Sequence, residues 1–289
     1  MDTKQFVVPE GKKLNLKNYK TDFTADYENK EEAVADLAEN NRRLSKLQDT
    51  LYAQNTQALL VIFQALDAAG KDSAIKHVLS GVNPQGCEVV SFKTPSMTEL
   101  EHDFMWRSIV KLPERGRIGV FNRSYYEEVL IVRVHPQILQ NQQLSEEIKS
   151  DKNIWKKRFE DIKNFETYLT NNGVHVLKFF LNVSKDEQKK RFLARIETPE
   201  KNWKFSAQDA KERAFYDDYQ KAYRDALQAT STKRAPWFVI PADKKWFTRV
   251  AVSEIICEKL ESMDLSYPKL SKEQMKSLQE AKKMLESEG

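Results

Sequence analysis

Apolar positions along the chain alternate between two spacings. From Glu31 to Tyr52 they recur at helical intervals, at Val34, Leu37, Leu44, Leu47 and Leu51, and predict an amphipathic helix. The unbroken run ALLVIF (58–63) then predicts a buried strand, and a helical pattern resumes at Ala74–Leu79. CEVVSF (87–92) and RIGVF (117–121) read as strands on either side of a helical stretch around Leu100–Lys111. Trp155, Phe159, Ile162, Phe165 and Leu169 mark a further helix, followed by the strand VHVLKFFLNV (174–183). Helices starting at Ser184 and near Ser206, a fifth strand PWFVI (236–240) and a closing helix Trp246–Leu260 complete the series. Strand–helix alternation of this kind predicts an α/β fold, a parallel sheet covered by helices on both faces.

The whole of 1–289 reads as one domain, with no linker and no internal repeat. Residues 1–30 are polar and predict an arm laid over the surface, while 271–289 predict a charged amphipathic helix at the end. Hydrophobic residues make up 40% of the chain and charged residues 31%, enough for a sizeable core in a soluble protein. No stretch has the apolar length of a membrane span, and the first residues lack the apolar core of a signal peptide. Cys87 and Cys257 are far apart, which fits a reducing, cytoplasmic setting. Four scattered histidines give little support to a His-based metal site. A net charge of +4, with no arginine-rich tail, does not indicate nucleic acid.

Candidate chemistry begins after the first strand, in ALDAAGKDS (65–73). A strand, a Gly-Lys pair and then a helix are the setting of a phosphate-binding loop, G-x-x-x-x-G-K-[ST], whose backbone N–H groups cradle phosphate oxygens. Here Ala65 stands for the first Gly, Asp72 for the Ser/Thr, and Ser73 comes one place late. Ala68, Ala69, Gly70, Lys71, Asp72 and Ser73 form the candidate loop, with Gly70 allowing close approach and Lys71 reaching the phosphate. Asp72 has no hydroxyl for a metal, so its carboxylate either holds metal or caps the helix. Asp67 adds a second carboxylate, which repels phosphate unless a divalent cation intervenes. It reads as a metal ligand or as the side chain of an Asx turn.

Two further segments sit after strands. In FNRSYYEEVLIVRV (121–134), Asn122 and Arg123 lie at a strand's carboxyl end, where α/β sheets bind ligands, and Arg123 suits a phosphate whose charge shifts during transfer. Ser124 and Glu127 have capping-box spacing, so Glu127 is either a cap or a ligand residue. Tyr125 and Tyr126 read as packing residues, and Arg133 faces either the site or solvent. The segment 183–206 carries seven cations, Lys185, Lys189, Lys190, Arg191, Arg195, Lys201 and Lys204, against four acids. Arg191 and Arg195 share one helical face. Such a run is a solvated face or, placed after the fourth strand, a lid over phosphates.

Taken together, these words resemble the polyphosphate kinase family 2. The resemblance rests on QALDAAGKDSAIKHV, SGVNPQG, SFKTPS, HDFMWR, GRIGVFNRSYYEEVLIVRVHP, LKFFLNVSKDEQKKRF, NWKFS and STKRAPWFVIPADKKW, in family order from about 58 to 250. The subtype is similar to class III, which acts on nucleoside mono- and diphosphates. The resemblance implies a P-loop kinase fold, thymidylate-kinase-like, with a helical lid over about 184–227, and dimers or tetramers. It implies Asp67, Lys71 and Arg123 as catalytic residues, Asp67 at the metal, and Mg²⁺, with Mn²⁺ as a substitute, as the ion. Lys190, Arg191, Arg195 and Lys204 are implied as lid residues that grip polyphosphate, and Asn122, Arg123, Glu127 and Arg133 as residues near the nucleotide. Asn122 is not assigned to metal, because an amide is a poorer ligand than a carboxylate.

The activity so implied is direct in-line transfer from inorganic polyphosphate to AMP or ADP, and to GMP or GDP. An ATP-dependent kinase and a non-catalytic nucleotide- or polyanion-binding module are the alternatives.

Overall fold

The computed structural model describes residues 1–204 and 206–288, leaving out the side chain of Lys204. Five strands form one sheet: β1 (Ala58–Gln64), β2 (Cys87–Ser91), β3 (Ile118–Asn122), β4 (Val174–Asn182) and β5 (Trp237–Pro241). All pairings are parallel, in the order β2-β3-β1-β4-β5. β1 is central and wholly buried, as an unbroken apolar run requires of a strand covered on both faces.

The longer helices are α1 (Lys30–Gln54), α2 (Lys71–Val78), α3 (Ile154–Asn171), α4 (Lys185–Glu197), α5 (Tyr216–Thr230), α6 (Lys245–Glu261) and α7 (Lys272–Glu286). α6 packs against α1 and α2, and α3 packs against α5 and β4. These two groups flank the sheet.

Several expectations shift by a residue or two, and three change in kind. Val34 is 51% exposed, because Ala33 takes the inward position at the start of α1. The helical stretch expected around 100–111 is two single turns, Met97–Leu100 and Trp106–Ile109. The polar arm does more than cover the surface. Phe6, Val8 and Leu14 enter the core, and Val7 bridges to Phe238 on β5. The final helix, α7, has no buried residue.

One polar cluster lies inside this core. Lys178, in the middle of β4, donates to Glu166 of α3 and to the Thr230 carbonyl at 2.8 Å. Glu166 also accepts from the Tyr125 and Tyr126 hydroxyls, at 3.0 and 2.8 Å. Burial pushes Lys178 down and Glu166 up, each towards its neutral form, and their mutual bond opposes both shifts. The two tyrosines are therefore packing residues, as their sequence context suggests.

Candidate active site

The site forms where β1, β3 and β4 end. After Gln64 the chain turns through 65–70 and enters α2. Ala68 and Gly70 both take left-handed backbone angles, φ 63° and 110°. Gly70 meets that demand without a Cβ penalty and serves as the cap of α2, which leaves the helix's first N–H groups open at the loop. This is the frame of an anion cradle.

Lys71 is buried and donates to the carbonyl of Ala65 at 2.8 Å. Burial lowers its ammonium from the ordinary 10.5 to about 8, and the neighbouring Arg123 adds to the shift. Asp67 lies at the loop's mouth with its side chain 33% exposed. Its Oδ1 accepts from Arg123 Nη2 at 2.7 Å, so the carboxylate faces the guanidinium and is not the centre of an Asx turn.

Arg123 follows β3 at φ 68°, with its N–H on the Phe63 carbonyl at 2.9 Å. Its Nη1 lies 3.5 Å from Glu127, and the two acids hold its charge firmly in place, Glu127 more than Asp67. Glu127 is therefore an ion-pair partner. The capping box foreseen at Ser124 does not form, and Ser124 alone caps the turn through Tyr126 N–H. Asn122 donates to Asp72 Oδ1 at 2.6 Å, which ties β3 to the first turn of α2. The Ser73 hydroxyl takes Arg249 of α6 at 2.9 Å.

The cationic segment divides in two. Arg191 is buried, and its guanidinium donates to Glu187, to the carbonyls of Ala68 and Ala69, and to those of Ala242 and Asp243. All five of its N–H groups are thereby spent on protein. A phosphate would have to displace them, so Arg191 supports the loop from behind and does not face outward as a lid cation. Arg195 instead lies 3.6 Å from Asp209, and Lys190 is exposed. The side chain of Lys204 is outside the described residues. Arg133 faces neither the loop nor open solvent. It pairs with Asp225 of α5 at 2.8 Å.

Other contributors carried no sequence signal of their own. Gln188 donates to the Asp67 carbonyl at 3.0 Å, and Arg213 donates to Gln188. Asp209, Glu212, Tyr216, Tyr219 and Tyr223 close a cavity of about 60 Å³ over Asp67 and Arg123. Burial and the nearby Asp67 raise the Asp209 carboxyl above its ordinary range. A regular polar-apolar spacing along α5 is the one feature by which Tyr216, Tyr219 and Tyr223 share a face.

Known proteins resemble this chain over most of its length. Residues 27–268 match the family model described as Polyphosphate kinase 2. The chain belongs to that family. The polyphosphate kinase 2 relatives include an ADP-polyphosphate phosphotransferase of Rhodopseudomonas palustris, 54% identical over 98% of both chains. An AMP/ADP-polyphosphate phosphotransferase of Meiothermus ruber is 44% identical over 91% of this chain and 94% of its own. The crystal structure of polyphosphate kinase 2 from Arthrobacter aurescens superposes with a TM-score of 0.84 at 40% identity, covering 92% and 91% of the two chains. The P-loop kinase fold expected for polyphosphate kinase 2 is the one observed, a five-stranded parallel sheet between helices.

Proposed function

We propose that the protein transfers the terminal phosphoryl group of inorganic polyphosphate to AMP or ADP, with GMP and GDP as further acceptors. The observation that carries this reading is the loop at Gly70–Lys71 with the Asp67–Arg123 pair at its mouth. It stands in a chain 44% identical to an AMP/ADP-polyphosphate phosphotransferase.

The loop N–H groups and Lys71 hold the donor phosphates, Lys71 exchanging the Ala65 carbonyl for phosphate oxygen. Arg123 spans donor and acceptor and stabilises the charge that moves between them. Arg195 and Lys190 grip the polyanion, Arg195 exchanging Asp209 for phosphate. The acceptor phosphate is already ionised, so no general base is needed. In-line transfer conserves a phosphoanhydride on both sides, so the reaction runs in both directions. A cytoplasmic setting and assembly into dimers or tetramers belong to the same reading, and both cysteines are unpaired.

Among the described residues no three His, Cys, Asp or Glu side chains are grouped to hold a metal. The fit for Mg²⁺ is nonetheless good, because this ion needs one or two carboxylates and takes its other ligands from phosphates and water. Asp67 offers such a carboxylate, partly exposed and with Oδ1 alone on Arg123. An ion there supplies screening between the two sets of phosphate charges. The test incubates polyphosphate and Mg²⁺ with AMP or ADP and follows product nucleotide. A protein that takes phosphate only from ATP overturns the reading.

A further inference from the structure

Glu166 of α3 is only 2% exposed and takes no direct part in the site, yet its bonds lead back to Arg123. One oxygen, Oε1, accepts from both the Tyr125 and Tyr126 hydroxyls, and the other, Oε2, takes the Lys178 ammonium. Lys178 also donates to the Tyr126 hydroxyl at 3.2 Å and to the Thr230 carbonyl at 2.8 Å. The cluster thus ties α3, β4 and the end of α5 to the two residues that follow Ser124.

Those two residues stand in the turn that presents the site's cation. Arg123 opens it at φ 68°, an angle unfavourable for a residue with a Cβ. Glu127, on the other side of the two tyrosines, holds the Arg123 guanidinium from 3.5 Å. The turn itself, Tyr125–Val129, is a short 3₁₀ segment with little hold of its own. Locally it has the Ser124 hydroxyl on Tyr126 N–H, and Gln64 donates to that hydroxyl at 3.2 Å. The Tyr125 and Tyr126 hydroxyls are the contacts that fix it against α3 and β4.

Stability alone does not account for the pair. A buried lysine–carboxylate pair is often no more stabilising than apolar side chains of the same volume. What apolar side chains cannot supply is an acceptor fixed in direction. Lys178 draws Oε2 to one side and leaves Oε1 turned to both hydroxyls.

We propose that Glu166, oriented by Lys178, is a positioning residue for transfer: through Tyr125 and Tyr126 it sets the turn that aims Arg123 at the phosphates. This rests on the transfer reading above, in which Arg123 stabilises the moving charge.

Two double variants of the full chain separate positioning from support. Glu166→Gln with Lys178→Met removes both charges and keeps a carbonyl oxygen for the two hydroxyls. Glu166→Leu with Lys178→Met removes both charges and the acceptor as well. Assayed well below both unfolding temperatures, the second is expected to have a kcat about tenfold or more below the first, with the same KM for polyphosphate. In an Arg123→Ala background that difference should fall to about twofold or less, because the residue acted upon is gone. Equal kcat in the two doubles, or a difference that persists in full without Arg123, overturns the proposal. Amide hydrogen exchange reads the turn without activity, and the N–H groups of 124–129 are expected to exchange faster in the second double than in the first. Failure of the transfer reading would appear elsewhere, as wild-type protein that makes no nucleotide product from polyphosphate. Equal exchange in the two doubles overturns the positioning role in that case too.

Discussion

Arg191 donates to the carbonyls of Ala68 and Ala69, at 3.1 and 2.7 Å, and braces the phosphate loop through its backbone acceptors. The cation thus fixes the backbone turn at Ala68, whose left-handed angle is unfavourable for a residue with a Cβ.

Replacing it should show support and not substrate grip. Arg191→Ala strands Glu187 and four carbonyls, and should cost about 3 kcal/mol of stability. It should lower kcat at least about tenfold and change the KM for polyphosphate little. Lys190→Ala, at an exposed position on the same helix, should do the reverse. Thermal unfolding and polyphosphate titrations of the two variants separate these outcomes.

Lys71 makes a pH prediction whose sign follows from its lowered value. The folded state holds the proton less tightly than the unfolded chain, about 8 against 10.5. The cost of burying the charge is fully present below about pH 8, and it is relieved as pH rises from there towards 10.5. Lys71→Met should therefore unfold at a higher temperature than wild type at pH 7, with the gap narrowing above pH 8. The same variant should lose transfer activity by about a thousandfold or more.

Asp67→Asn keeps the shape of the carboxylate and removes its charge. Transfer should fall about a hundredfold or more, and the Mg²⁺ concentration for half-maximal rate should rise. An unchanged metal dependence would take Asp67 out of the ion's surroundings.

The buried Lys178–Glu166 pair predicts non-additive mutations. Glu166→Leu alone leaves a buried ammonium and should cost about 3–5 kcal/mol. Lys178→Met added to it should recover most of that loss. Urea unfolding of the two single variants and the double variant closes the cycle.

Because α7 buries nothing, removing 271–289 should shift the Tm by less than about 2 °C. A larger drop would mean that α7 is covered in an assembled form.

Most of the fold was legible because it rests on local patterns. β1 is an apolar run up to Gln64, β4 an apolar run broken only by His175 and Lys178 before Asn182, and α1 a helix opened by the cap Asn29. The loop was legible for the same reason, since Gly70 and Lys71 act through backbone geometry that their own sequence sets. Side-chain partners were not. Glu127 has the spacing of a cap to Ser124 and stands equally four residues from Arg123, so local spacing alone does not choose between the two partners. Arg191 and Arg195 look equivalent in a charged run, yet one is turned inward by carbonyls from 68–69 and 242–243, segments distant in the chain. Lys178 carries a signal of its own, since a lone lysine inside VHVLKFFLNV must find a buried acid.

The arm has a consequence for how the molecule comes into being. Val8 N–H donates to the Trp237 carbonyl at 2.8 Å, Ser231 donates to the Val8 carbonyl at 2.7 Å, and Thr3 donates to Glu258 at 2.6 Å. Residues 3–8 therefore have partners 223 to 255 residues further along the chain. Until β5 and α6 have been synthesised, Phe6 and Val8 have no native place to go, and the nascent chain must carry them exposed. Closure of the fold around the arm thus waits for β5 and α6.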